Sequence, residues 1–109
     1  MKAEKHITLL NALKHFRTDK QRRTFIQSLL PDSTVKAICE ALYNITQNNC
    51  SNISSKQIKK LCKYKRIVRQ LTNKPHFPLV RKRRIIANQK GGFLSATIPL
   101  ILLALQNVL

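Results

Sequence analysis

No carboxylate side chain occurs after Glu40. The four acids of the 109-residue chain (Glu4, Asp19, Asp32 and Glu40) stand against 21 Lys and Arg, a formal net charge of +17. The long acid-free stretch excludes paired carboxylates for acid–base catalysis and leaves its cations without internal neutralisation. There are two glycines, Gly91 and Gly92, too few and too late for a P-loop or a GxGxxG turn. The three cysteines, Cys39, Cys50 and Cys62, are widely spaced, with no CxxC and no histidine at zinc-ligand distance. They read as reduced structural thiols, and no metal site is expected. His6, His15 and His76 are dispersed, so no catalytic residues and no cofactor are expected, and the chain does not read as an enzyme. No signal peptide is expected either, since the first apolar run is broken by Asn11, Lys14 and His15. Strand-type alternation and hairpin turn pairs are also missing, which argues against a sheet.

What is present is helical periodicity. Ile7, Leu10, Leu13 and Phe16 predict a short amphipathic helix over 3–16. Thr18 and Asp19 offer a cap, Phe25, Ile26, Leu29 and Leu30 form the apolar edge of a second helix, and Pro31 ends it. Asp32 or Ser33 is expected to cap a third, whose stripe of Val35, Ile38, Cys39, Leu42 and Ile45 is the clearest in the chain. Residues 47–52 read as a loop. Ser54 or Ser55 is expected to cap a fourth helix, with Ile58, Leu61, Cys62, Val68 and Leu71 facing inward. Residues 73–78, with two prolines in four positions, read as a linker. Beyond it, Leu79 to Lys90 reads either as a basic helix or as a segment ordered only on binding.

Four features carry possible chemistry. The fourth helix presents Lys56, Lys59, Lys60, Lys63, Arg66 and Arg69 on one face. Cations at that density can meet successive phosphates and release condensed counterions. A plain solvated face is the blander reading, but no acid lies within the segment to form i,i+4 pairs. Tyr64 among them either stacks on a base or covers the edge of the core. The second feature is the cluster Arg81, Lys82, Arg83 and Arg84, a pattern shared by phosphate clamps and nuclear-import signals. The third is Gln89-Lys90-Gly91-Gly92-Phe93, read from composition as a flexible joint or as a protease site. The fourth is the uncharged run from Phe93 to Leu109, 17 residues with Pro99 in its middle. Its length is at the lower limit for spanning a hydrocarbon core of roughly 30 Å. It reads as membrane-active or self-associating through Phe93, Leu94, Ile98, Leu100 and Ile101, or as a core helix docked on the bundle.

The sequence RKRRIIANQKGGFLSATIPLILLAL resembles the C-terminal part of adenovirus core protein X, the precursor of the mu peptide. The resemblance is closer to the counterparts in adintoviruses and in Polinton (Maverick) elements. The matching positions are Arg81 to Arg84, Gly91-Gly92, Phe93-Leu94 and Ile98-Pro99-Leu100-Ile101. They cover roughly the last 30 residues, and residues 1–74 have no counterpart in the short adenoviral peptide. The resemblance implies a basic peptide that condenses packaged viral DNA, in the virion core and the host nucleus. It also implies cutting by a viral maturation protease between Gly92 and Phe93, with Gln89 among the side chains permitted upstream.

The expected fold is all-α. A helical bundle with a basic fourth helix occupies 1–72 and a linker 73–78; a basic segment ending in Gly-Gly follows over 79–92, then an apolar C-terminal helix over 93–109. The expected function is sequence-independent binding and condensation of double-stranded DNA, with phosphate contacts from the ten cations named above and no base readout. From the residues alone DNA and RNA are not distinguished, because no reader of a 2′-hydroxyl is evident. The alternative is a membrane-acting or capsid-docking protein that works through its apolar C-terminal segment.

Overall fold

A computed structural model describes residues 2–47, 55–73, 77–89 and 91–106. Among the described residues the chain is all-α, with no strand. Seven helices follow in order: α1 (Lys2–Lys14), α2 (Asp19–Ser28), α3 (Asp32–Thr46), α4 (Ser55–Leu61), α5 (Lys65–Thr72), α6 (Leu79–Ala87) and α7 (Gly91–Gln106). A single 3₁₀ turn, Cys62–Tyr64, joins α4 to α5. The residues read as a loop after Gln47, and Lys74, Pro75 and His76 of the expected linker, lie outside the described residues, as does Cys50.

The first three helices follow their apolar spacing. Leu10 and Leu13 of α1 are buried, and every member of the α3 stripe is buried. Thr18 caps α2 through a capping box with Gln21, which satisfies two otherwise orphaned backbone donors. The cap of α3 departs from expectation: Pro31 is its N-cap, with no side-chain cap bond, and Asp32 is already helical. Pro31 suits that place because it has no N–H to leave unpaired. Leu29, expected inside, is 68% exposed, because it is the C-cap of α2 and the chain has turned there. His6 and Thr34 share a buried hydrogen bond of 2.8 Å that ties α1 to α3.

The expected fourth helix is broken in a way its own residues explain. Lys65 lies four positions after Leu61, three after Cys62 and three before Val68, so an unbroken helix would put its ammonium in the middle of the apolar stripe. The 3₁₀ turn advances about 120° per residue rather than about 100°, which adds roughly 60° over its three residues. Lys65 and Cys62 swing outward while Leu61, Val68 and Leu71 remain buried. Cys62, expected to face inward, is therefore exposed. Tyr64 swings in and meets the ring of Phe93 edge-on, with centroids 5.4 Å apart.

Three helices form a middle layer. α3 packs against α1, α5, α6 and α7; α6 packs against α2, α3 and α5; α7 packs against α1, α3 and α4. Each of these three helices packs on one of α1 and α2 and on one of α4 and α5, and so stands between the two pairs. The whole measures 33 × 29 × 27 Å.

The basic segment and the apolar segment thus belong to the same globule as the helices before them. α6 buries Ile86 and Ala87. α7 buries Phe93, Leu94, Ile98, Leu100, Ile101, Ala104 and Leu105 along nearly its full length, with Thr97 bonded back to the Phe93 carbonyl at 2.8 Å. A helix apolar on most of its circumference is what the centre of a bundle accepts. Pro99 lacks the N–H that would bond the Ser95 carbonyl, and both residues lie on the exposed side of the helix.

Candidate nucleic-acid interface

The face of α4, the 3₁₀ turn and α5 away from the middle layer is built almost wholly of cations. Lys56, Lys59, Lys60 and Lys63 repeat at three- and four-residue intervals, and all four are exposed. Arg66 and Arg69 continue the series and are exposed too. Lys65 joins them, a member that a continuous-helix reading omits. Its signal in the sequence was its awkward place on the apolar stripe. From Lys56 to Arg69 the helical path is about 20 Å at about 1.5 Å per residue. Neighbouring side chains at i,i+3 and i,i+4 stand about 5–6 Å apart, which suits repeated contact with the phosphates of one strand. No acidic residue lies on this segment.

The four cations of α6 do not act alike. A helix sends consecutive side chains in different directions, and the four go to four environments. Arg83 is turned into the molecule. Its guanidinium donates to the Ile26 carbonyl at 2.7 Å and to the Leu30 carbonyl, and pairs with the Asp32 carboxylate. It thereby closes the end of α2 and the start of α3, and it is not free to clamp a phosphate as the sequence reading expected. Lys82 is half-buried beside a hollow that it shares with Cys39, Glu40, Tyr43 and Leu79. Arg81 is exposed and lies over the Phe77 ring at 3.7 Å, a cation–π contact. Arg84 is exposed. Two outward arginines, Arg81 and Arg84, replace the compact cluster of four.

Lys90 of the Gln89–Phe93 motif lies outside the described residues, and the others belong to the folded body. The Gln89 amide donates to the Ile85 carbonyl at 2.9 Å, Gly91 and Gly92 form the first turn of α7, and Phe93 is buried beneath Tyr64. A Cβ at Gly92 would stand 3.1 Å from the Tyr64 hydroxyl, so glycine here permits a close approach. The side chains read as a membrane or partner surface, Phe93, Leu94, Ile98, Leu100 and Ile101, are all in the core. Their apolarity is satisfied internally by α1, α3 and α4. Among the described residues the large apolar side chains that are exposed, Leu29, Tyr43 and Val80, belong to three different elements and form no run. Among the described residues no helix is long and apolar enough to cross a membrane.

Among the described residues neither thiols nor carboxylates gather into a cluster of three or more. Burial pushes the Cys39 thiol from its ordinary 9.0 to about 11, against a smaller downward pull from Lys82 and with a small upward push from Glu40. Cys39 is therefore a protonated, apolar side chain near neutral pH. Among the described residues no three His, Cys, Asp or Glu side chains come together in a way that would hold a metal ion.

A further cationic surface escaped the sequence reading because it lies in the acid-containing part of the chain. Lys14, Arg17, Lys20 and Arg23 are exposed around the corner between α1 and α2. The one acid in that stretch, Asp19, is paired with Arg22.

A scan against known protein families and searches of curated proteins and of solved structures find no match to this chain.

Proposed function

We propose that the chain binds double-stranded DNA through its phosphates, without reading base sequence, and condenses it as a core protein of a virion. The observation that carries this reading is the face of α4 and α5: seven exposed cations in fourteen residues with no acid among them. Such a face has large electrostatic self-repulsion, and a polyanion relieves it. The resemblance of residues 81–101 to adenovirus core protein X and its adintovirus and Polinton counterparts supplies the duplex, the virion core and the host nucleus. Lys56, Lys59, Lys60, Lys63, Lys65, Arg66 and Arg69 would make the principal contacts, with Arg81 and Arg84 adding to them.

The same resemblance supplies a maturation cut between Gly92 and Phe93. In the folded chain that bond lies in the first turn of a helix, and a protease cleft takes an extended strand. Two glycines each weaken a helix by about 1 kcal/mol relative to alanine, so this turn is a cheap one to unwind. The buried Phe93 is the larger obstacle. The reading through a membrane- or capsid-docking apolar segment is not favoured, because that segment is covered by the chain's own helices.

Fluorescence anisotropy with a labelled duplex tests the proposal. Affinity should fall by about 10²–10³-fold between 50 and 200 mM salt if about five phosphates are neutralised. Scrambled duplexes should bind equally well. The triple change Lys59→Gln, Lys63→Gln and Arg66→Gln should reduce the salt slope by about 2.7. A response flat in salt, or strong preference for one sequence, would remove the proposal.

A further inference from the structure

The α1–α2 corner is a built surface rather than a loose one. The Arg22 guanidinium donates to the Phe16 carbonyl at 2.8 Å and pairs with Asp19, which draws the turn closed from inside. The backbone N–H groups of Arg17 and Thr18 donate to the Gln21 side chain, and Thr18 accepts from the Gln21 backbone at 3.1 Å. Phe16 and Phe25 pack with ring centroids 5.2 Å apart. On this fixed corner Lys14 ends α1, Arg17 occupies the turn, and Lys20 and Arg23 stand at i,i+3 on α2. All four are exposed, and the only carboxylate among them is held by Arg22.

The position of the corner matters as much as its charge. α1 rests on α3 and α7, and α2 on α6, whereas α4 rests on α7 and α5 on α3 and α6. The middle layer therefore separates the corner from the α4–α5 face. On a body about 30 Å across, the corner and the α4–α5 face are thus two separate cationic surfaces. A single duplex lying on one face leaves the other still charged and free.

We infer that the α1–α2 corner is a second phosphate-binding site, and that one chain joins two duplex segments, one on each side of its middle layer. The inference rests on the proposed DNA binding and gives it a mechanism: condensation by cross-linking of neighbouring strands rather than by charge neutralisation along one strand. Each site takes a sugar–phosphate backbone, since neither offers the paired acceptors and donors that read base edges.

Two measurements on the full chain test it. Anisotropy with a short labelled duplex reads binding to one segment, and capture of that duplex by an immobilised, unlabelled duplex reads joining. Lys14→Gln, Arg17→Gln, Lys20→Gln and Arg23→Gln together should lower capture at least about tenfold while changing single-duplex affinity by less than about threefold. The same loss of charge on the other face (Lys59→Gln, Lys63→Gln, Lys65→Gln and Arg66→Gln) should lower both. Should the fourfold corner variant not fold, Lys20→Gln with Arg23→Gln should give a smaller loss of capture alone. Sedimentation with excess short duplex should end at one chain to two duplexes. Undiminished capture by the corner variants, equal loss of both readouts, or an end point of two chains with two duplexes would overturn the inference. If the parent chain binds single duplexes but captures none, this inference fails and the proposed function stands. If the parent binds no duplex at all, the proposed function has failed first.

Discussion

Arg83 and Arg84 are adjacent, identical in chemistry and opposite in use. The Arg83 guanidinium is spent on the Ile26 and Leu30 carbonyls and on Asp32, so Arg83→Ala strands buried acceptors at the end of α2. Hydrogen bonds to charged groups are worth about 1.5–3 kcal/mol, and urea melts of Arg83→Ala should show a loss of about that size. Arg84→Ala should move stability by no more than about 0.5 kcal/mol and should flatten the salt dependence of duplex binding by up to about 0.9 in slope. The reverse pattern, with Arg84 stabilising and Arg83 neutral, would contradict the placement of both. In the sequence these residues form one run, Arg81 to Arg84, and nothing local says which of them turns inward. The partners that decide it, Ile26, Leu30 and Asp32, are more than fifty positions away in the chain.

At the scale of elements, legibility followed whether a helix kept one period from end to end. α3 does, and its five stripe residues are all buried as their spacing predicts. The segment 55–72 does not, and the residue that betrays it is Lys65, a charge at a position which regular winding would bury. The 3₁₀ turn that rescues Lys65 also brings Tyr64 onto Phe93 and against the first turn of α7. Here a pair of substitutions is informative. Gly92→Ala gains about 1 kcal/mol of helix propensity but presses its new methyl on the Tyr64 hydroxyl. Made on a Tyr64→Phe background, which removes that oxygen, the same change should be more favourable by about 0.5–1 kcal/mol in a double-mutant cycle of unfolding free energies. Strict additivity would show that the close approach has no energetic weight.

For the whole molecule, the decisive fact is where the apolar run goes. An uncharged stretch of this composition is compatible with a bilayer, a partner or an interior, and its hydropathy is the same in all three. The choice depends on whether the other helices leave a matching hollow, which is a property of their packing and not of the run itself. α1, α3 and α4 do leave one, and α7 fills it. Removal of residues 93–109 should therefore abolish cooperative thermal unfolding of what remains, as read by circular dichroism. The single truncation Ile101→Ala should cost about 2–5 kcal/mol. A sharp melt in the shortened chain would mean that residues 2–89 hold together without their central helix.

The position of α7 also bears on how the protein comes into being. The ribosome makes this helix after α1, α3 and α4, the helices that pack with it, at about 5–20 residues per second. Until it emerges, the faces of α1, α3 and α4 that α7 covers stay bare on a highly cationic nascent polypeptide. The core they share with α7 can close only once that helix has left the ribosome.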